Sequence, residues 1–230
     1  MKENKYNQSF WPSYVDIMTT LFAIMLVLFA VSYNRFKVKE IELRKLANKY
    51  EEIQSIYKAV ENIDPTYFEF NPTYVKHIFK IQVTFQQKEF SLYKLKGDAD
   101  GRNEEADSLR HHVVMAGIEI KRTIEQLQRN DSIKGDIKYL VVIEGQASAD
   151  GYNQDLYHNN DVLSYQRALE LNKFWKNHGI DFSEMDRCEL VVSGSGVKGV
   201  PRDSIEVNNQ RFLIHIVPVI GNIRMNDNDN

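Results

Sequence analysis

Ile137-Lys-Tyr-Leu-Val-Val-Ile-Glu144, a polar stretch over 145–159, and a helical pattern over Asp161–His178 closed by Gly179 decide the fold of this chain. The first run is dense in β-branched and aromatic residues and too short for a helix, so it reads as a strand. The helix that follows ends at a glycine suited to the residue after a helix C-terminus. Cys188-Glu-Leu-Val-Val-Ser193 then gives a second strand, and the loop Gly194-Ser-Gly-Val-Lys-Gly-Val-Pro201 leads to a closing strand over Gln210–Val217. Upstream, Leu109, Val113, Ala116, Ile120, Ile124 and Leu127 recur at helical spacing and predict a helix over Asn103–Asn130, with Gly117 as a mild weakness in it. Ile78–Phe85 alternates like a half-buried strand, and Glu89–Leu95 is a candidate for another. Strands that alternate with helices predict an α/β sandwich with helices on one face of a mixed sheet, covering residues 65–221. A polar tail, 222–230, is expected to be disordered.

Ahead of this domain stands a different kind of sequence. Tyr14-Val-Asp-Ile-Met-Thr-Thr-Leu-Phe-Ala-Ile-Met-Leu-Val-Leu-Phe-Ala-Val-Ser-Tyr33 is apolar apart from Asp16. As a helix it covers roughly the 30 Å of a bilayer's hydrocarbon, so 14–33 reads as a transmembrane segment after an N-terminal stretch, 1–13. Trp11 and Tyr33 bracket it as interfacial aromatics do. A cleaved signal peptide is the alternative, with Lys2 and Lys5 as its basic start and Ala30-Val-Ser32 as its cleavage pattern. Against it stand the length of the run and the charge inside it. An aspartate in a membrane costs about 2.5–3.5 kcal/mol on insertion scales and usually faces a protein partner or an ion path. Asp16 also lies near the helix start, where a carboxylate suits the dipole, and a capping role is the competing reading. Basic residues are denser after the span (Arg35, Lys37, Lys39, Arg44, Lys45) than before it, which by itself favours the C-terminal side inside.

Residues 34–64 read as a helical stalk. Leu43, Leu46, Tyr50, Ile53, Tyr57 and Val60 follow a 3-4-3-4-3 spacing, the seam of a two-helix coiled coil or of a helix packed on its own domain. A parallel dimer would bring two copies of Asp16 together. The helix is expected to stop near Asp64-Pro65.

Composition excludes several classes. The 230 residues carry 29 Lys+Arg against 32 Asp+Glu, a net charge of -3, which gives no reason to expect a nucleic-acid partner. Cys188 is the only cysteine, so the chain forms no internal disulfide. Adjacent His111 and His112 point apart on a helix rather than gripping zinc at i, i+4 spacing. Gly194-Ser-Gly196 lacks the Lys-Ser/Thr of a phosphate loop, and Ser148, Ser164 and His158 occur without a nucleophile-elbow motif. No cofactor motif and no enzyme active site are read from the residues.

Two segments carry a resemblance. Phe10-Trp-Pro-Ser-Tyr-Val-Asp16-Ile-Met-Thr19 is similar to the start of MotB-type stator B subunits, and in its finer detail to the B subunits (ZorB) of Zorya anti-phage systems. Asn160-Asp-Val-Leu-Ser164-Tyr-Gln-Arg167-Ala168 matches N-x-x-L-S-x-x-R-A of the OmpA-like peptidoglycan-binding domain, and Asn209-Gln-Arg211 resembles that domain's closing N-R-R. The resemblance implies an inner-membrane protein with a cytoplasmic N-terminus and a periplasmic C-terminal domain, opposite to the orientation that the basic residues favour. It implies a homodimer within a pentamer of polytopic MotA/ZorA-like A subunits. Asp16, with Thr19 and Thr20 beside it, would carry the transported H+ or Na+, and one charge crossing about 100 mV delivers about 2.3 kcal/mol. Peptidoglycan would be bound through Ser148, Asp150, Asn160, Ser164, Arg167 and Arg211. In the family an aspartate pairs with the motif's arginine to hold the amine and carboxylate of a diaminopimelate side chain. Here Gly145-Gln-Ala-Ser148-Ala-Asp150 places serine at that position, leaving Asp150 to swing in or Ser148 to offer a weaker hydrogen bond.

Overall fold

The strand that opens the decisive stretch, β3 (Ile137–Gly145), lies inside the sheet. Its alternate residues Ile137, Tyr139, Val141 and Ile143 are buried, while Lys138 faces solvent. The computed structural model describes residues 10–86, 88–98, 103–129 and 137–220, so the segment before Phe10 and the tail 222–230 lie outside the described residues. The chain divides into two compact units, Met1–Glu51 and Glu52–Asn230.

In the second unit, β1 (Phe68–Asn71), β2 (Lys76–Phe79), β3, β4 (Cys188–Gly194) and β5 (Phe212–Ile220) form one mixed sheet of order β1-β2-β5-β3-β4. β3 and β4 are parallel and joined through α3 (Asn160–Asn177), and the remaining pairs are antiparallel. This is the expected α/β sandwich. α3 packs on β3 and β4. α2 (Glu104–Arg129) buries Val113, Ala116, Ile120 and Ile124 in the same core.

Gly117 has a packing reason. A Cβ there would sit 2.6 Å from Trp175 Nε1 of α3. The bare backbone lets the two helices approach, and Trp175 Nε1 donates to the Val113 carbonyl at 2.7 Å. Gly145 and Gly194, at the ends of the parallel strands, serve α3 in the same way. A Cβ on Gly145 would lie 2.0 Å from Ser164 O, and one on Gly194 2.4 Å from Tyr165 N. The first turns of α3 therefore rest directly on the strand ends.

Two local expectations change. The strand expected over Ile78–Phe85 ends at Phe79, and the candidate over Glu89–Leu95 is turn-rich, with Phe85↔Leu95 as an isolated bridge. Val83, Phe85, Leu92 and Leu95 are buried all the same, so their alternation reflects packing on the core without a ladder. β1 was not anticipated from the sequence.

α1 (Phe10–Glu61) runs through span and stalk as one helix, stopping before Asp64-Pro65. Its apolar residues from Trp11 to Tyr33 are exposed along their length, and it is the one helix among the described residues long and apolar enough to cross a membrane. Leu43, Leu46 and Tyr50 are exposed too. Ile56 and Val60, in contrast, are buried in the core of the second unit, where the Val60 carbonyl accepts from His77 Nε2 at 2.8 Å. That end of the stalk packs on its own domain.

Candidate functional site

Arg167 is the side chain on which the domain's candidate site is built. It sits in the second turn of α3, whose start is fixed by Asn159 accepting from Val162 N and by the glycine contacts beneath it. Only 3% of the residue is exposed. Its guanidinium carbon lies 4.5 Å from the centroid of the Phe85 ring, a cation–π contact, and Nε donates to the Glu89 carbonyl at 3.2 Å. Among the described residues its terminal nitrogens have no hydrogen-bond partner. Burial brings the guanidinium down to about 10, with Asp150 opposing the shift, so the group stays charged at neutral pH.

A hollow of about 350 Å³ opens beside it, lined among others by Thr84, Phe85, Lys88, Lys96, Asp150 and Gln210. Asp150 lines the same hollow as Arg167. Its Oδ1 accepts from Tyr152 N at 3.0 Å and from Asn160 Nδ2 at 2.9 Å, which holds the carboxylate in a turn facing the same hollow as Arg167. Ser148 is buried, with its hydroxyl accepting from Gln210 Nε2 at 3.0 Å. That bond leaves Gln210 Oε1 as a buried acceptor without a partner. A guanidinium whose terminal N–H groups lack partners among the described residues and a fixed carboxylate in one hollow suit a ligand bearing a carboxylate and an amine.

The remaining residues of the expected set are distributed differently. Asn160 is buried and orients Asp150. Ser164 is fully buried; its hydroxyl donates to Asp161 O at 2.7 Å and accepts from Gly196 N at 2.9 Å, tying α3 to the loop after β4. Arg211 donates to Gln146 Oε1 at 3.0 Å and to Pro201 O at 2.9 Å, bracing two loops at the start of β5. Neither Ser164 nor Arg211 lines the hollow. Lys88, Lys96, Phe85 and Gln210 do, and sequence reasoning missed them. Only Gln210 carried a signal, as the middle residue of the Asn209-Gln-Arg211 segment.

In the first unit, α1 has completed its first turn before Asp16, which removes the capping reading: no acidic residue stands in that turn, and the dipole's influence fades beyond it. Among the described residues the Asp16 carboxylate has no hydrogen-bond or ion-pair partner. Thr19 Oγ1 donates to Val15 O at 2.9 Å and Asp16 O at 3.0 Å, and Thr20 Oγ1 donates to Asp16 O at 2.8 Å. Both hydroxyl hydrogens are thus spent on backbone, leaving the oxygens as acceptors beside the carboxylate. Among the described residues no three His, Cys, Asp or Glu side chains gather as a metal site requires.

Comparison with known proteins finds no matching family model and no matching curated protein. Solved structures with partial likeness include a MotB-like protein from Desulfovibrio vulgaris, 17% identical, covering 73% of this chain and 93% of that one at a TM-score of 0.43. The periplasmic domain of Helicobacter pylori MotB (residues 90-256) is 14% identical, with coverage of 65% and 76% and a TM-score of 0.37. The cell wall anchor of the T6SS from Pseudomonas aeruginosa is 14% identical, with coverage of 71% and 94% and a TM-score of 0.36.

Proposed function

We propose that this chain is the B subunit of an ion-driven inner-membrane motor, with a periplasmic domain that holds peptidoglycan. The carrying observation is the buried Arg167, whose terminal nitrogens are unpartnered among the described residues and lie in the same hollow as the fixed carboxylate of Asp150. Together they match the carboxylate and amine of a diaminopimelate side chain, which is the chemistry that the N-x-x-L-S-x-x-R-A resemblance implies. Asp16 supplies the second half of the reading. An unpaired carboxylate in an apolar helix calls for a partner outside the chain, and a polytopic A subunit would provide the rest of an H+ or Na+ path. Two copies of this chain inside a pentamer of A subunits would present two such carboxylates in turn. The Phe-Trp-Pro-Ser-Tyr-Val-Asp context favours anti-phage defence as the process powered.

The test is Asp16→Asn in the intact operon, scored for phage plating and for swimming, with membrane insertion checked. Protection lost while swimming persists supports a defence motor, and swimming lost supports a flagellar stator. If neither readout changes in an inserted variant, the ion role fails and the protein is a passive cell-wall anchor.

A further inference from the structure

We propose that the Arg167 hollow reads two acidic groups, Lys88 and Lys96 holding a second carboxylate of the peptide whose first carboxylate meets Arg167. The inference rests on the peptidoglycan reading above and narrows its ligand. Three cationic side chains line the hollow against one carboxylate, Asp150. A ligand with one carboxylate and one amine would satisfy Arg167 and Asp150 and leave both exposed lysines free to meet a second anion. Neither lysine has an acidic partner among the described residues. Their neighbour Lys94, by contrast, is paired with Glu89 at 3.2 Å.

Lys88 is also held in place. Its backbone adopts φ of 62°, a left-handed conformation unusual for a side chain of this size. Its ammonium lies 5.4 Å from the centroid of the Tyr152 ring. Tyr152 in turn follows Asp150 by two residues and is bound to it through its backbone N–H. Lys88 and Asp150 line a second hollow of about 240 Å³ as well as the first. Lys88 thus borders both hollows, with its ammonium against Tyr152, which lines the second. The peptide stem of peptidoglycan offers the matching chemistry when a γ-linked glutamate with a free α-carboxylate precedes the diamino acid. Amidation of that glutamate removes its negative charge and exchanges one acceptor oxygen for an NH2 donor.

The experiment uses the full chain in detergent micelles, retained on purified sacculi and competed with defined peptides. The probes are L-Ala-γ-D-Glu-meso-diaminopimelate and the same tripeptide with the glutamate α-carboxyl amidated. We expect the acidic form to compete about three- to tenfold better at low ionic strength, the range for exposed, screened charge pairs, and the difference to shrink in high salt. In a Lys88→Gln/Lys96→Gln variant the preference disappears while the amidated peptide still competes. Equal competition by both peptides on the wild type, or a preference that survives in the variant, overturns the proposal. Failure of the wild type to be retained on sacculi at all overturns the peptidoglycan reading, and this inference with it.

Discussion

Asp16 in the apolar half of α1 and Arg167 in the hollow beside α3 are both ionisable side chains without a salt bridge among the described residues, and the chain treats the two in opposite ways. Around Arg167 it supplies most of a shell: an aromatic face, a backbone carbonyl for Nε, and a carboxylate fixed by Asn160. Around Asp16, among the described residues, it supplies two threonine oxygens, in a stretch whose apolar side chains from Trp11 to Tyr33 are exposed. A preorganised shell with a few free donors is how a site binds one ligand in one orientation. On the proposed function, the Asp16 carboxylate on its apolar helix is half of a site, and the A subunit supplies the other half. Rigidity belongs to the domain and incompleteness to the span.

The sharpest way to break that contrast is to neutralise each charge in turn. On the proposed function, Asp16→Asn should abolish motor output while leaving the thermal unfolding of the C-terminal domain unchanged, a pairing that activity assays and circular dichroism check together. Arg167→Ala should do the reverse at the wall. Charge-assisted hydrogen bonds contribute about 1.5–3 kcal/mol each, so sacculus retention should fall about 10- to 100-fold while membrane insertion is normal. Arg167→Lys should recover little, because an ammonium cannot reproduce the fork of a guanidinium.

Most of the scaffold was legible in the sequence, and the reasons differ by element. α2 and α3 carry helical patterns, and the three long strands carry apolar, β-branched runs, each long enough to be read alone, and their boundaries moved by only a few residues. β1 was not legible, since Phe68–Asn71 is only four residues long and sits between Pro65 and Pro72. The false extension of β2 came from real burial: Val83 and Phe85 do alternate into the core, but alternation reports a face and not a ladder. The hollow was half legible. Arg167 and Asp150 belong to one motif and its preceding loop, whereas Phe85, Lys88, Lys96 and Gln210 arrive from two distant segments that only the fold brings together. Gly117 read as a weakness because the ring of Trp175 above it is invisible in a one-dimensional pattern.

A smaller effect sharpens the rigid side of the comparison. Gly194→Ala places a Cβ 2.4 Å from Tyr165 N and should push the first turns of α3 off the sheet. Overpacking of this kind costs about 1–3 kcal/mol, so the melting temperature of the domain should drop measurably. Because Arg167 rides on those turns, sacculus binding should weaken in parallel. A variant that loses stability but keeps full binding would show that the site does not depend on this contact.

The smallest effects concern pH, and they separate two buried groups of the domain from anything in the span. His77 is buried with Nε2 bonded to the Val60 carbonyl and Nδ1 unpartnered, and burial lowers its pKa below the usual histidine range. The neutral form is favoured by folding, so its contribution is present above about 6.5 and is lost as pH falls below that. Glu144 behaves in a separate window. Burial alone would raise it, but hydrogen bonds from His215 and from Lys76, each 2.8 Å away, prevail and bring it down to about 2. Its contribution is present above the unfolded value of about 4.5 and is lost as pH falls through about 2. Thermal melts of the wild type should therefore show a first decline between pH 7 and 5 and a second one in stronger acid. His77→Gln should flatten the first and leave the second, whereas Glu144→Gln should lose the second. If His77→Gln declines as steeply as the wild type between pH 7 and 5, the joint between α1 and β2 is not what acid loosens.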